Sequence, residues 1–490
     1  MNIEVNPAVG AGKSLVSARL GRRSERGVMW GLTAAQLYGV GVAAAVLGPA
    51  MMSAGMRGLL VSAPVWASAL IAAFVRPNGR TAASWAPVVA NYVLRRIRGQ
   101  DTWLADPERP RRAGVLALPG ELTGTVLYVH SVTAAAMIHD PRRRTLTAVA
   151  RLRHSAFLLL SHDDQNRRVA GWRRALSGAA RTGRVARLQV LERCMAEGGE
   201  AIRAYWREEG CDDSSAAASS YRELIGAAAP ASARHDTLIA VTVALKNAPR
   251  IARTGRGGAT GAASVLAKEM ASLTAGLNTA EITVESWLDE HELAYVINTA
   301  FRPHRAPVWE RTGLGRDPSA AGPVAVSARW DHVRIDDGWH AVVWIREWPR
   351  EDIDASFLVP LVLTASVQRT ISVFYRPRTA REAARDIRVE LAEQESEQRR
   401  RNRNGTRTSA VQQRENDDVE RRERELVAGH ADLAYTGLVA ISATSKDDLN
   451  AAVEETENAC HQAGLDTTIL YGQQDAAFYA AALPLGRVNI

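Results

Sequence analysis

The chain has 490 residues, a formal net charge of +8 and a pI near 9.6, and this length predicts several domains. Its three cysteines, Cys194, Cys211 and Cys460, show no CxxC or metal-ligand spacing. This argues against a disulfide framework and indicates a reducing cytoplasm. Nearly all the positive charge is arginine, which we interpret as a composition bias typical of high-GC bacteria more than as a nucleic-acid-binding surface.

Two apolar runs, at about 28–52 and 58–75, lie close to the start of the chain, and Arg57 is the only charge between them. A transmembrane helix needs about 20 mostly apolar residues, so both runs qualify. The sequence therefore predicts a transmembrane hairpin over 28–75. The alternative is a buried helical hairpin in a soluble core, which so long an uncharged span disfavours.

The charges that flank the two runs predict how the hairpin is oriented. Residues 1–27 form a basic tail, and arginines also follow the second run, whereas the turn carries only Arg57. Short loops rich in lysine and arginine stay in the cytoplasm. We therefore expect a two-span protein of the cell membrane with both termini cytoplasmic, in contact with the lipid bilayer. The first run is too long for a cleaved signal peptide.

The segment 76–113 is predicted to contain a juxtamembrane helix and a linker. Residues 82–98 read as an amphipathic helix that ends in arginines, with Trp85, Tyr92 and Trp103 as anchors at the membrane surface. The two prolines within 106–112 indicate the linker.

The segment 114–379 is predicted to be a cytoplasmic α+β region, because alternating and β-branched runs are interspersed with helical periodicity. Ser161 and Asp164 read as the capped start of a helix. Strands are predicted at 124–131, 134–139, 144–154, 157–160, 185–192, 236–246, 281–284, 324–327, 332–335, 339–348 and 368–375. Helices are predicted at 161–183, 200–209, 214–228, 262–277 and 285–301.

The last two segments differ in composition from the rest. Residues 380–430 are dense in glutamate and arginine and predict a charged helical hairpin that turns at 402–405. The alternative is an unfolded charged linker. Residues 431–490 predict a strand, a helix, a strand and a short helix. The predicted fold class is thus a membrane-anchored α+β protein built from split βαβ units.

Three short motifs offer residue types that could do chemistry. Residues 10–14 resemble the end of a phosphate-binding loop, but Pro7 stands where its first glycine is required. The glycine-rich run 255–261 lies between a predicted strand and helix without matching a nucleotide-binding pattern. Residues 161–164 supply serine, histidine and aspartate, which the helix cap explains. We therefore predict no catalytic residue, no cofactor site and no metal site.

Several stretches together resemble known families of bacterial conjugation systems. The two spans followed by residues 76–85 resemble the PrgI-type small membrane proteins of type IV secretion. The other stretches are similar to the N-terminal, non-motor domain of the conjugation ATPase: 157–172, 184–189, 380–430, 473–478 and 483–486. The whole resembles an actinobacterial PrgI-like fusion of the two, and no Walker motif follows.

The resemblance implies a non-catalytic inner-membrane scaffold of a type IV-like conjugative DNA or protein transfer machine. It would dock a separate P-loop ATPase at the channel and contact other membrane channel subunits in an oligomeric assembly. An EccE-like structural subunit of a type VII secretion complex is the alternative. A membrane-tethered nucleotide-dependent enzyme, using Lys13 or the 255–261 loop, is a second alternative. Direct nucleic-acid contact stays open.

Overall fold

The computed structural model describes most of the chain. The described residues are 34–75, 82–106, 114–153, 157–196, 199–210, 215–228, 233–247, 258–349, 356–363, 367–378, 380–404 and 432–488, with the single positions 413, 419, 420 and 424. The body is an α+β protein with an antiparallel sheet, preceded by one long apolar helix. The predicted α+β class is confirmed.

The apolar helix α1 spans Ala34–Phe74 and is the one described helix that is long and apolar enough to cross a membrane. Its backbone is not helical at Gly55, where φ is 55° and ψ is −134°. A Cβ atom added at Gly39 would lie 2.5 Å from the Cβ of Ala73. Gly39 and Ala73 therefore lie in contact.

The remaining helices in the described residues are mostly those that periodicity predicts. They are α2 (Ala82–Ile97), α3 (His162–Arg181), α4 (Glu200–Glu209), α5 (Ala216–Ala228), α6 (Gly258–Thr279), α7 (Glu290–Phe301), α8 (Ala306–Thr312), α9 (Val359–Val362), α10 (Ala380–Asn404), α11 (Lys446–Gln462) and α12 (Gln474–Ala482). Ser161 caps α3 by accepting a hydrogen bond from the amide of Asp164, as predicted.

The described strands all join one antiparallel sheet. They are β1 (Thr102–Leu104), β2 (Val126–Val129), β3 (Ala136–Asp140), β4 (Thr145–Arg153), β5 (Val185–Ala196), β6 (Ala233–Ala244), β7 (Thr283–Trp287), β8 (Ala325–Ala328), β9 (Val333–Ile335), β10 (Gly338–Glu347), β11 (Gln368–Pro377), β12 (Leu433–Ala443) and β13 (Asp466–Ile469). The path through the sheet is β1-β8-β9-β10-β12-β11-β5-β6-β4-β3-β2, with β13 beside β10 and β7 beside β4.

This path repeats one pairing scheme in two halves. In the first half β2 pairs with β3, β3 with β4, β4 with both β6 and β7, and β6 with β5. In the second half β8 pairs with β9, β9 with β10, β10 with both β12 and β13, and β12 with β11. Each half also places a helix, α6 or α11, before its last strand and a helix, α7 or α12, after it. The body is therefore an internal structural repeat.

The two halves meet where β5 pairs with β11, and the register there relates them by a pseudo-two-fold axis. Leu191 faces Ser372 at the centre of this pairing. Equivalent cross-strand polar pairs lie on either side: Thr147 with Thr242, whose hydroxyl oxygens are 2.9 Å apart, and His340 with Ser442, whose Nδ1 and Oγ are 2.8 Å apart. The same axis relates α7 to α12.

Three apolar clusters lie between the sheet and the helices that cover it. Both faces of the sheet are covered, because successive strand residues point to opposite faces. On one face α3 and α6 cover the first half, and α11 covers the second. On the other face α7 and α12 share a single core that includes Leu191, Val342 and Phe374. Both helices are buried almost all round, as a helix apolar on every side requires.

Two segments outside the helices and strands, 114–117 and 483–488, pack at the edges of this core. The amide of Leu127 donates to the carbonyl of Gly114, and a Cβ at Gly322 would lie 1.7 Å from the carbonyl oxygen of Ala117. Residues 114–117 therefore touch β2 as well as the segment that leads into β8. The segment 483–488 lies over the first half, where the amide of Gly486 donates to the side chain of Gln189.

A few predicted boundaries were wrong. Residues 157–159 form a 3-10 turn, not a strand. The helix predicted from 285 begins at Glu290, because the preceding residues pair with β4 as strand β7. Strand β1 lies in the stretch predicted as helix and linker. Helix α10 covers 380–404 of the predicted charged hairpin and so extends into its predicted turn at 402–405. Residues 405–430 lie outside the described residues except for four helical positions.

Candidate functional site

The junction between α2 and the sheet is the strongest candidate for a functional site. Helix α2 follows the apolar helix α1 and contacts it. Trp85, Val88, Tyr92 and Arg95 are its half-buried residues, and their spacing of three or four positions places them on one face. This inner face of α2 lies against the second half of the body.

An aromatic cluster fills the junction. The ring of Trp330, between β8 and β9, lies 6.0 Å from that of Trp85 and 5.1 Å from that of Tyr92, measured between centroids. Tyr471 stacks on Trp330 at 6.1 Å and lies 6.0 Å from Trp85. Tilted and stacked ring pairs at such distances each contribute about 0.5–1.5 kcal/mol beyond area burial. Trp330 is the hub because it contacts three rings.

Gly472, just before α12, allows the backbone there to lie directly against Trp330 and against Val88 of α2. Its φ is +72°, and an added Cβ would lie 2.7 Å from the ring of Trp330 and 3.2 Å from a methyl of Val88. Its amide donates to the carbonyl of Trp330 at 2.7 Å. Only glycine satisfies both the positive φ and the close contact without strain.

A charged contact fixes the end of α2. Arg95 binds Asp475 through both guanidinium nitrogens, one of them at 3.1 Å from Oδ1, and the two side chains are 24% and 13% exposed. The hydrogen bond to Asp475 raises the pKa of Arg95 and outweighs the opposing effect of burial. Asp475 lies in the first turn of α12, where the helix dipole also favours a carboxylate.

A second polar group lies beside the cluster. Lys446 Nζ is 2.6 Å from Asp331 and 3.1 Å from Nδ1 of His332. Burial lowers the pKa of His332, which therefore stays neutral near pH 7, and burial raises the pKa of Tyr471. These contacts tie the start of α11 to the turn that carries Trp330.

Strand β1 continues the attachment beyond α2. Its three residues pair with β8, and the ring of Trp103 packs against the core that contains α7 and α12. The amide of Ala105 donates to Val324, and that of Ala328 donates to Asp101, both at 2.7 Å. The three aromatic residues predicted as membrane anchors, Trp85, Tyr92 and Trp103, thus contact the body.

Taken together, these contacts attach α2, and through it the segment that follows α1, to the sheet. Ring packing, a bidentate ion pair and a short β-ladder act in series over residues 85–105. Sequence reasoning missed Trp330, Tyr471 and Asp475, because Arg95 and Asp475 are 380 positions apart. The only sequence signal for this cluster was the aromatic residue Trp330 between two predicted strands. Its position does not indicate which rings it contacts.

The other motifs lie apart from the junction. Residues 10–14 and 255–257 lie outside the described residues, and residues 258–261 form the first turn of α6. Residues 161–164 form the cap of α3 and its first turn. His130 contacts Thr133 and is half-buried. The structure brings none of these described motif residues to the junction.

Two further features of the described residues bear on chemistry. No group of three or more histidine, cysteine, aspartate or glutamate side chains there could hold a metal ion. A cavity of about 290 Å³ lies between α4 and α5, lined by Arg203, Trp206, Arg207, Arg222, Ile225 and Gly226.

Comparison with known proteins adds no relative: no protein-family model matches the chain, and neither does any curated protein.

Proposed function

We propose that this protein is a non-catalytic inner-membrane scaffold of a type IV-like conjugative transfer machine, which docks a separate P-loop ATPase at the membrane channel. The observation that best supports a scaffold is the junction. A helix of membrane-spanning length is held to a folded body by packed rings, an ion pair and a strand. Such an attachment positions the body relative to the bilayer, which is what a scaffold has to do.

We also propose that α1 crosses the membrane twice, with both termini in the cytoplasm. Residues as far apart as Gly39 and Ala73 would be about 50 Å apart along a straight helix at 1.5 Å per residue. Their contact supports a hairpin that turns at Gly55. The two arms are then about 31 Å and about 28 Å long, close to the thickness of the hydrocarbon core of about 30 Å. Small residues at Gly39 and Ala73 suit close packing in lipid.

Cysteine labelling in intact cells tests this topology. With two spans, Ser53→Cys reacts with a membrane-impermeant maleimide from outside, whereas Ser14→Cys and Ser319→Cys react only after lysis. With a single span Ser14→Cys would react from outside, and the hairpin proposal would be wrong. Ser53 and Ser319 lie in the described residues, on α1 and before β8 respectively.

The charged helix α10 is the surface that we propose for the ATPase. It is inserted between β11 and β12, and most of its described side chains are exposed. Ala383 and Ile387 are buried and fix the base of the helix. The corresponding insertion in the first half is α4 and α5, so the repeat supplies an internal control.

Affinity purification from detergent-solubilised membranes, with mass spectrometry, tests the function. The scaffold proposal expects a conjugation-type P-loop ATPase in stoichiometric yield. A photo-crosslinker at Glu395 on α10 should capture this ATPase, and one at Leu224 on α5 should not. Recovery of an EccC-type translocase instead would favour the type VII alternative. Recovery without any ATPase would refute the docking role.

A further inference from the structure

The outer face of α2 carries an apolar stripe that the described part of the body leaves exposed. Val89, Val93, Leu94 and Ile97 are 41%, 46%, 44% and 77% exposed. They lie within nine positions. At 3.6 residues per turn, Val93, Leu94 and Ile97 project away from the face that holds Trp85, Tyr92 and Arg95, whereas Val89, four positions after Trp85, lies at the border between the two faces. These four exposed large aliphatic side chains, three of them opposite the body-facing side, form a surface that is unfavourable in water.

The charges on α2 are of one sign. The helix contains no aspartate or glutamate, and its last turn carries Arg95 and Arg96, with Arg98 directly after it. Arg95 is bound to Asp475, whereas Arg96 and Arg98 are exposed. An apolar stripe bordered by arginines is complementary to an anionic membrane surface, in which the stripe enters the acyl boundary and the guanidinium groups contact phosphates.

The position of α2 in the chain also favours the bilayer over a protein partner. Helix α1 ends at Phe74 and α2 begins at Ala82. The eight Cα-to-Cα steps from Phe74 to Ala82 span at most about 28 Å even when fully extended. Moreover α2 contacts α1, which keeps α2 close to the helix of membrane-spanning length.

We propose that the stripe Val89, Val93, Leu94 and Ile97 lies in the headgroup region of the cytoplasmic leaflet, so that α2 is sandwiched between lipid and the body. Its aromatic face binds the body and its aliphatic face binds lipid, the reverse of an arrangement in which tryptophan and tyrosine anchor the helix. The second half of the repeat is then the half next to the membrane. The inference rests on a membrane-spanning α1 and not on the identity of the transfer machine.

Depth-dependent quenching tests this arrangement in the full-length protein. Single cysteines at position 93 (Val93→Cys) and position 389 (Val389→Cys) are labelled with the fluorophore NBD, after Cys194, Cys211 and Cys460 have been replaced by serine. Val389 on α10 is 51% exposed, similar to Val93, and is also an aliphatic residue on a helix. The labelled proteins are reconstituted into nanodiscs of phosphatidylcholine and phosphatidylglycerol, with or without brominated acyl chains.

The proposal expects brominated lipid to reduce the emission of the label at 93 by at least twofold and to leave the label at 389 unchanged. Equal, unquenched emission at both positions would overturn it. A blue-shifted label at 93 that brominated lipid does not quench would also overturn it, because the stripe would then be covered by protein, such as a second copy. Circular dichroism and the melting temperature of the triple-serine background verify that the tested protein is folded.

Discussion

Replacing Trp330 by alanine should release α2 from the body while leaving the body folded. The ring contacts those of Trp85, Tyr92 and Tyr471, and each such pair contributes about 0.5–1.5 kcal/mol. Trp330 is only partly buried, so the substitution should cost less than the roughly 3–5 kcal/mol of a core tryptophan. We therefore expect the docking free energy of α2 to fall by about 2–4 kcal/mol.

Hydrogen–deuterium exchange of the detergent-solubilised or reconstituted protein measures this loss. When opening is local, the exchange rate of an amide rises tenfold for each 1.4 kcal/mol, so α2 should exchange roughly 30- to 800-fold faster. The matched control is Trp348→Ala, which removes a similarly half-buried ring that contacts Phe357 and Tyr435, away from α2. Unchanged protection of α2 in Trp330→Ala, or equal loss in both variants, would refute the proposed role of the aromatic hub.

Three other substitutions test the fold and the junction. Asp475→Asn should weaken α2 docking by about 1–2 kcal/mol, seen as faster exchange confined to α2, since it removes one charge from a partly buried pair. Gly486→Ala should lower the melting temperature, because its φ is +59° and the new Cβ would lie 1.9 Å from a threonine hydroxyl; Gly178→Ala, a helical position with open space, should raise or preserve it. Burial lowers the pKa of His340 from 6.5 to about 3. Between pH 3 and pH 6.5 this imidazole is therefore protonated in the unfolded state and neutral in the folded state. Stability should therefore fall by about 1.4 kcal/mol per pH unit as pH drops from 6.5 towards 3, and His340→Gln should flatten this dependence in urea melts.

The positions of most helices and strands could be predicted because their signals are local. Alternation over 144–154 predicted β4, which spans Thr145–Arg153. Side chains an odd number of positions apart point to opposite faces of a strand, and Trp339 and Trp344 do pack in different cores. The start of α7 was missed although the capping box of Asp289 and Glu292 marks it.

The repeat left a trace in the sequence that local reasoning overlooked. Residues 147–153 read Thr-Ala-Val-Ala-Arg-Leu-Arg, and 340–346 read His-Ala-Val-Val-Trp-Ile-Arg. Similarly, Leu-Ile-Ala-Val-Thr at 238–242 matches Leu-Val-Ala-Ile-Ser at 438–442. These stretches are β4 and β10, and β6 and β12, and they occupy equivalent places in the two halves. A search for internal similarity would have predicted the equivalence, though not how the halves pair.

The sequence by itself determined where the chain is apolar enough to enter a membrane, where strands and helices lie, and that the body is α+β. These properties depend on residue type and on periods of 2 and 3.6, which are read within about a dozen neighbours. Only the tertiary structure decided that the halves join at Leu191 and Ser372, that α7 and α12 share one core, and that the aromatic face of α2 binds the body. Those arrangements depend on partners such as Arg95 and Asp475, 380 positions apart, whose contact only the folded chain creates.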